Sequence, residues 1–130
     1  MPPAPKLHIL IVEDHLDTLN MYRRLLLHEG HSVVAVADLG AALEAAEDQR
    51  FDLLISDVTL PDGSGWTLLE RLREIMPGLP GIAVSGHDHP SDIADSERAG
   101  YCIHLSKPVH PVELYDAIVA CAAVAQSTEC

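Results

Sequence analysis

Residues 53–66 read LLISDVTLPDGSGW. Leu53 to Ser56 form a short, nearly continuous apolar run, the make-up of a strand covered on both faces. The run ends on a carboxylate, Asp57, and passes at once into the loop LPDGSG. Beyond the loop, Leu69, Leu72 and Met76 recur at helical spacing. A strand, an acid at its end, a loop and a helix make one βα unit. A bare charge at the rim of a core is costly unless something binds it, so Asp57 marks where a ligand is to be sought.

The same plan extends in both directions. LHILIV (7–12), SVVAVA (32–37), GIAVS (81–85) and CIHL (102–105) are further strand candidates of the same apolar kind. Leu16, Leu19, Tyr22 and Leu26 lie on one helical face, as do Leu114, Ile118, Cys121 and Ala125. The segment LGAALEAAEDQR is Ala-rich and helix-prone, and a short polar fourth helix is placed at 90–99. Gly30 and Gly100 follow helical segments and suit left-handed caps, while Pro90 and Pro111 suit first turns. Five strands alternating with five helices predict a parallel α/β sandwich. Trp66 and Met76 read as side chains packing a helix against the sheet, and His87 and His89 as loop residues without a metal.

Composition limits the function classes. A chain of 130 residues with 48% apolar content is one domain with a real core. We divide it into a disordered lead over 1–6, a domain over 7–125 and a tail over 126–130. The start, MPPAPKLH, lacks the charged and apolar segments of a secretory signal, and no apolar run approaches the roughly 18 residues of a membrane span. Twenty acidic against eight basic residues, a formal charge of −12, argues against direct nucleic-acid binding. Cys102, Cys121 and Cys130 form no CxxC pair, which suits a reducing cytoplasm. Cys102 and Cys121 lie in apolar segments and read as small core residues, and Cys130 as an exposed thiol.

The polar residues fall in a pattern. Glu13 and Asp14 follow the first strand, Asp57 ends the third, Ser85 ends the fourth and Lys107 follows the fifth. All lie at strand carboxyl ends, the edge where open α/β sheets bind ligands. In the strand order 2-1-3-4-5 the first and third strands are neighbours, which brings Glu13, Asp14 and Asp57 together. Three such carboxylates repel, and one would take up a proton unless a cation intervenes. Mg²⁺ suits them, because it takes oxygen ligands and keeps waters that a phosphate replaces. Ca²⁺ wants more protein oxygens, and zinc wants His or Cys. With Lys107 and Ser85 facing the same spot, the set describes a site for a phosphoryl group on Asp57, which attacks as nucleophile.

ILIVEDH, DLLISDVTLPDGSGWTLLERLR, IAVSG and AGYCIHLSKPVHPVEL together resemble the receiver domains of two-component response regulators, over about residues 7–125. The phrase HLSKPV is most like receivers of hybrid sensor histidine kinases. The resemblance implies a flavodoxin-like (βα)5 three-layer sandwich. It implies that Asp14 binds Mg²⁺ directly, that Glu13 acts through water, and that the backbone carbonyl of Thr59 completes the shell. Ser85 and Lys107 would contact the phosphoryl oxygens, and the Lys107–Pro108 bond is one that is often cis. The phosphodonor would be a histidine kinase or histidine phosphotransfer domain, docked against the first helix, where Arg23 and Arg24 lie. Such a domain is no enzyme beyond catalysing its own phosphorylation and dephosphorylation. It acts in the cytoplasm by shifting the face made by the fourth helix, fifth strand and fifth helix. Where many receivers carry Tyr or Phe as the switch partner of Ser85, this chain has His104. The sequence suits either a single-domain regulator or a receiver cut from a hybrid kinase. Two rivals are kept: an aspartyl-phosphate hydrolase of the haloacid dehalogenase-like type, which needs an acid where this chain has Thr59, and a degenerate receiver that only binds partners.

Overall fold

In this computed structural model, residues 6–86 and 90–127 are described, the side chains of 90, 91 and 123–127 excepted. The elements follow in the order β1 (His8–Val12), α1 (Leu16–His28), β2 (Ser32–Val36), α2 (Leu39–Asp48), β3 (Leu53–Asp57), β4 (Thr59–Leu60), β5 (Gly63–Ser64), α3 (Gly65–Ile75), β6 (Gly81–Ser85), α4 (Pro90–Ala99), β7 (Ile103–Ser106) and α5 (Pro111–Ser127). The five apolar runs pair in parallel in the order β2-β1-β3-β6-β7. With the two short strands set aside, this is the expected 2-1-3-4-5 order of a flavodoxin-like sandwich.

Because strand side chains alternate, each buried strand feeds two cores. Leu10, Val12 and Leu54 face Leu68, Leu69 and Leu72 of α3 and Ala42 and Ala46 of α2. Ile9, Ile11, Leu53, Ile55 and Ile82 face Leu19, Tyr22 and Leu26 of α1 and Leu114, Ala117, Ile118 and Cys121 of α5. The helices are therefore divided between the two sides of the sheet. Met76 is buried and Trp66 partly buried against the first of these cores, as expected. Among the described residues, no helix is long and apolar enough to cross a membrane.

Local chemistry sets the element ends. Asp38 caps α2 by accepting from the Ala41 N–H at 2.7 Å, and Ser64 caps α3 by accepting from that of Thr67 at 3.1 Å. Gly30 and Gly100 take the left-handed conformation expected after α1 and α4.

The loop LPDGSG is more ordered than its composition suggests. Thr59–Leu60 and Gly63–Ser64 form an antiparallel ribbon. At its tip the Asp62 carboxylate accepts from the Leu39 N–H at 2.8 Å and the Gly40 N–H at 3.0 Å. These two bonds hold its pKa below the ordinary carboxylate value.

Cys102 corrects the sequence reading: it is exposed, whereas Cys121 is fully buried. Its apolar neighbours Ile103 and Leu105 face the α1/α5 core, but Cys102 lies before β7, the last strand of the sheet, with β6 alongside on one side only. His87, His89, Cys130, the lead up to Pro5 and the last three residues of the tail lie outside the described residues.

Gly65 joins the two halves of the site's support. Its N–H donates to Val58 O at 2.8 Å, and the buried Tyr101 hydroxyl donates to its carbonyl at 2.5 Å. A Cβ at this position would press into the carbonyl oxygen of Asp57 and lie 3.1 Å from Ser56 Oγ. Gly65→Ala is therefore expected to cost about 1–3 kcal/mol of stability, as overpacking of a close contact does. Denaturant midpoints measure it, and an unchanged midpoint would show that this close approach does not constrain the fold.

Candidate functional site

Parallel pairing fixes where the acids emerge. Val12 is in register with Ser56, so Glu13 and Asp14 leave β1 beside Asp57 at the end of β3. Asp57 in turn is in register with Val84, which puts Ser85 one residue beyond it on β6. The Glu13 N–H donates to Val36 O at 3.1 Å, so the first acid is fixed by the β1–β2 ladder and its carboxyl is buried. Asp14 is exposed and Asp57 partly buried. One carboxylate oxygen from each of the three lies within 4.8 Å of the others.

Lys107 arrives from the far end of the chain. Its N–H donates to Ser85 O at 2.8 Å, and its peptide bond to Pro108 is cis, as the resemblance implies. Its ammonium donates to Glu13 Oε1 at 2.5 Å and to Asp57 Oδ2 at 3.0 Å. The Thr59 N–H, at the start of β4, donates to Asp57 Oδ1 at 3.3 Å. Both oxygens of Asp57 are thus engaged, one by a cation and one by a backbone dipole.

The electrostatics agree with this crowding. Burial raises the pKa of Glu13; the Lys107 hydrogen bond opposes that rise and the Asp57 carboxylate adds to it. For Lys107 burial works against the charge, but the bonds to Glu13 and Asp57 outweigh it and hold the ammonium above its ordinary value. At spacings within 4.8 Å each pair of ionised carboxylates repels by about 3.5 kcal/mol or more for an effective dielectric near 20, less where solvent screens the exposed Asp14. One lysine charge leaves three carboxylates with a net deficit of two. The donor set is all oxygen, converging and partly open, which fits a hard divalent cation. Glu13, Asp14 and Asp57 are the side chains able to hold it.

Ser85 is buried and lines a cavity of about 200 Å³ with Thr59, Ser64, Trp66 and Asp92. Beside this cavity lies a hydrogen-bonded group that the sequence did not reveal. The Trp66 indole N–H donates to Ser96 Oγ at 2.9 Å, and Ser96 Oγ lies 2.9 Å from His104 Nδ1. Among the described side chains, Ser96 is the buried polar residue of α4, and His104 is partly buried on β7 with its Nε2 buried and without a hydrogen-bond partner. Three elements, α3, α4 and β7, thus meet through one hydroxyl. His104 is no surface-facing strand residue.

Comparison with known proteins bears on this geometry. The family model described as "Response regulator receiver domain" matches residues 9–119. The chain is 35% identical over 116 residues to an "Uncharacterized 14.6 kDa protein in sodA1 3'region" of Leptolyngbya boryana, covering 88% of each. It is 31% identical over 111 residues to the transcriptional regulatory protein GlrR of Escherichia coli, covering 85% of this chain but only 25% of that protein. Among solved structures, a CheY-like response regulator receiver domain protein from Methanospirillum hungatei superposes with a TM-score of 0.87 at 31% identity, covering 95% of this chain and 98% of that one.

The raised pKa of Glu13 has a measurable consequence. The folded protein holds this proton more tightly than the unfolded chain, so the associated stability is complete below the ordinary glutamate value of 4.5 and is lost as pH rises through the raised folded value. In metal-free protein, the stability difference between wild type and Glu13→Gln is expected to fall as pH rises through that window and then level off. A difference that stays flat with pH, measured by denaturant titration, would assign the proton elsewhere.

Proposed function

The chain belongs to the response regulator receiver family of two-component signalling, and we propose that within it Asp57 is the phosphoacceptor of a Mg²⁺-dependent switch. Receivers of response regulators take phosphate from histidine kinases. The donor here is a phosphohistidine on such a kinase or on a histidine phosphotransfer domain. The observation that carries the reading is the convergence of Glu13, Asp14 and Asp57 under the Lys107 ammonium.

Each residue has a definite task. Glu13, Asp14, Asp57 and the Thr59 carbonyl would hold the metal, as the family resemblance implies. Mg²⁺, when bound, neutralises the oxygens of the transferring phosphoryl group. Asp57 attacks phosphorus in line, the N–P bond breaks, and the donor imidazole leaves. Lys107 exchanges its contact with Asp57 Oδ2 for the new phosphoryl oxygens, and the Ser85 hydroxyl donates to them. The Thr59 N–H, already on Asp57 Oδ1, steadies the carboxyl that carries the group. A hydrolase of the haloacid dehalogenase-like type would need an acid at position 59, where this chain has Thr59. A receiver kept only for binding would have no need of the complete set.

Phosphorylation brings a charge near −2 to the edge of the sheet. We read the response as a population shift of the face formed by α4, β7 and α5. The support for a route is the Ser96 hydroxyl, which joins α4 to His104 on β7 and to Trp66 on α3. His104 takes the place that Tyr or Phe holds in many receivers, and Ser96 gives it a partner that those rings lack at a nitrogen.

With Mg²⁺ and a small phosphodonor such as acetyl phosphate, the wild type is expected to gain about 80 Da, and Asp57→Asn is not. Asp14→Ala should lose both labelling and Mg²⁺ affinity. Equal labelling of Asp57→Asn in intact-mass spectra would refute the assignment. Trp66 supplies the readout for the switch: its emission should change on phosphorylation, and Ser96→Ala should weaken that change while leaving the mass gain intact. An undiminished fluorescence response in Ser96→Ala would remove the serine from the route.

A further inference from the structure

The hydroxyl that joins α3, α4 and β7 lets the protons of its group be counted. An indole N–H only donates, so the Trp66 bond takes one lone pair of Ser96 Oγ. The 2.9 Å contact to His104 Nδ1 then forms with the proton on either atom, and in both forms the neutral ring makes its bond there. A second proton on the ring removes that choice. Nδ1–H donates to Ser96 Oγ, and Nε2, buried and without a hydrogen-bond partner, becomes a charged donor with no acceptor. The position suits a neutral imidazole and rejects an imidazolium.

The surroundings offer no remedy at Nε2. In register beside His104 on β6 stands Ala83, and Ile103 and Leu105 turn to the other face of the sheet. The α3 face toward α4 carries Trp66, Glu70 and Arg73. Glu70 is exposed, and Arg73 donates to Leu79 O and Gly100 O, each at 3.0 Å. On α4, Asp95 pairs with Arg98 at 3.2 Å, Glu97 is exposed, and Asp92 lines the cavity beside Trp66. The Tyr101 hydroxyl is spent on Gly65 O, and the Lys107 ammonium on Glu13 and Asp57. Glu113 and Asp116 belong to α5, across the sheet. Acids outnumber guanidinium groups along the rim of α3 and α4, so a protonated ring is drawn outward, not deeper.

We propose that His104 is a proton-operated latch on α4. Neutral, it lies under the helix and shares Ser96 with Trp66. Protonated, its ring leaves Ser96 for the acidic rim, and α4 loosens its hold on β7. One proton is taken from solvent on acidification and returned as pH rises; no covalent bond changes. A Tyr or Phe ring gains no such proton between about pH 5 and 8, where histidine changes charge. The latch itself needs no phosphoryl group. That it biases signalling rests on the reading of Asp57 above, since α4 and β7 belong to the face assigned to that response.

Trp66, the single tryptophan, reports on the latch. In metal-free, unphosphorylated protein taken from about pH 8 to pH 5, its emission should move to longer wavelength in a one-proton transition, with far-UV circular dichroism unchanged. His104→Phe keeps the ring volume and every other histidine, and should abolish that transition. NMR of the imidazole nitrogens in the unmutated protein should show His104 gaining its proton over the same range as the Trp66 change, which requires no variant to fold. A transition that persists in His104→Phe, a His104 that gains its proton without any change at Trp66, or one that stays neutral to pH 5 would each overturn the latch. So would loss of circular dichroism in step with the emission. Asp57→Asn should retain the acid transition, so the latch and the phosphoacceptor reading fail separately. In the wild type, the phosphorylation-dependent change in Trp66 emission should differ between the two ends of the pH range; an identical change at both would detach the latch from the switch.

Discussion

The mutual repulsion of Glu13, Asp14 and Asp57, restrained by the Lys107 ammonium, is the constraint around which this molecule is arranged. A sheet whose strands all run one way brings every strand end to a single edge, and the register of β1 against β3 sets two acids beside a third. The fold gains nothing in stability from that crowding. It is held because the apolar residues of β1 and β3 are buried, and because a lysine from beyond β7 reaches back across the edge. Such local conflict, maintained by a well-packed scaffold, is the usual signature of a site kept for chemistry rather than for stability.

Much of this was legible in the order of residues. Nearly continuous apolar runs identify strands buried on both faces, and acids or polar groups directly after them identify the working edge. The structure places all five strands within a residue or so of the expected limits and includes Asp57 in β3. Glu13, Asp14, Asp57 and Lys107 converge as the strand order required, and Ser85 stands at the end of β6 beside them.

What was not legible has specific physical reasons. The β4–β5 ribbon has two residues per strand, too few for any periodicity to register, and its composition is that of a turn. Cys102 has strongly apolar neighbours, yet burial there depends on whether another strand lies alongside, and nothing in CIHL says that β7 is the last of the sheet. The Trp66–Ser96–His104 group joins three elements across the chain, and a lone serine in a short polar helix carries no signal that its hydroxyl is buried. Pairwise tertiary contacts between single polar atoms leave no pattern along the chain.

The Asp62 carboxylate, exposed yet bound to two N–H groups at the start of α2, bears on how the site would take up the ion proposed for it. A segment rich in glycine would ordinarily sample many conformations and forfeit that freedom whenever its backbone joins a coordination shell. Here the tether of the ribbon tip to a neighbouring helix has already imposed most of the order. If Thr59 serves the metal shell proposed above, the entropy of arranging it is thereby charged to folding, not to the binding event, and preorganisation of this kind strengthens association without adding a single contact to the ligand.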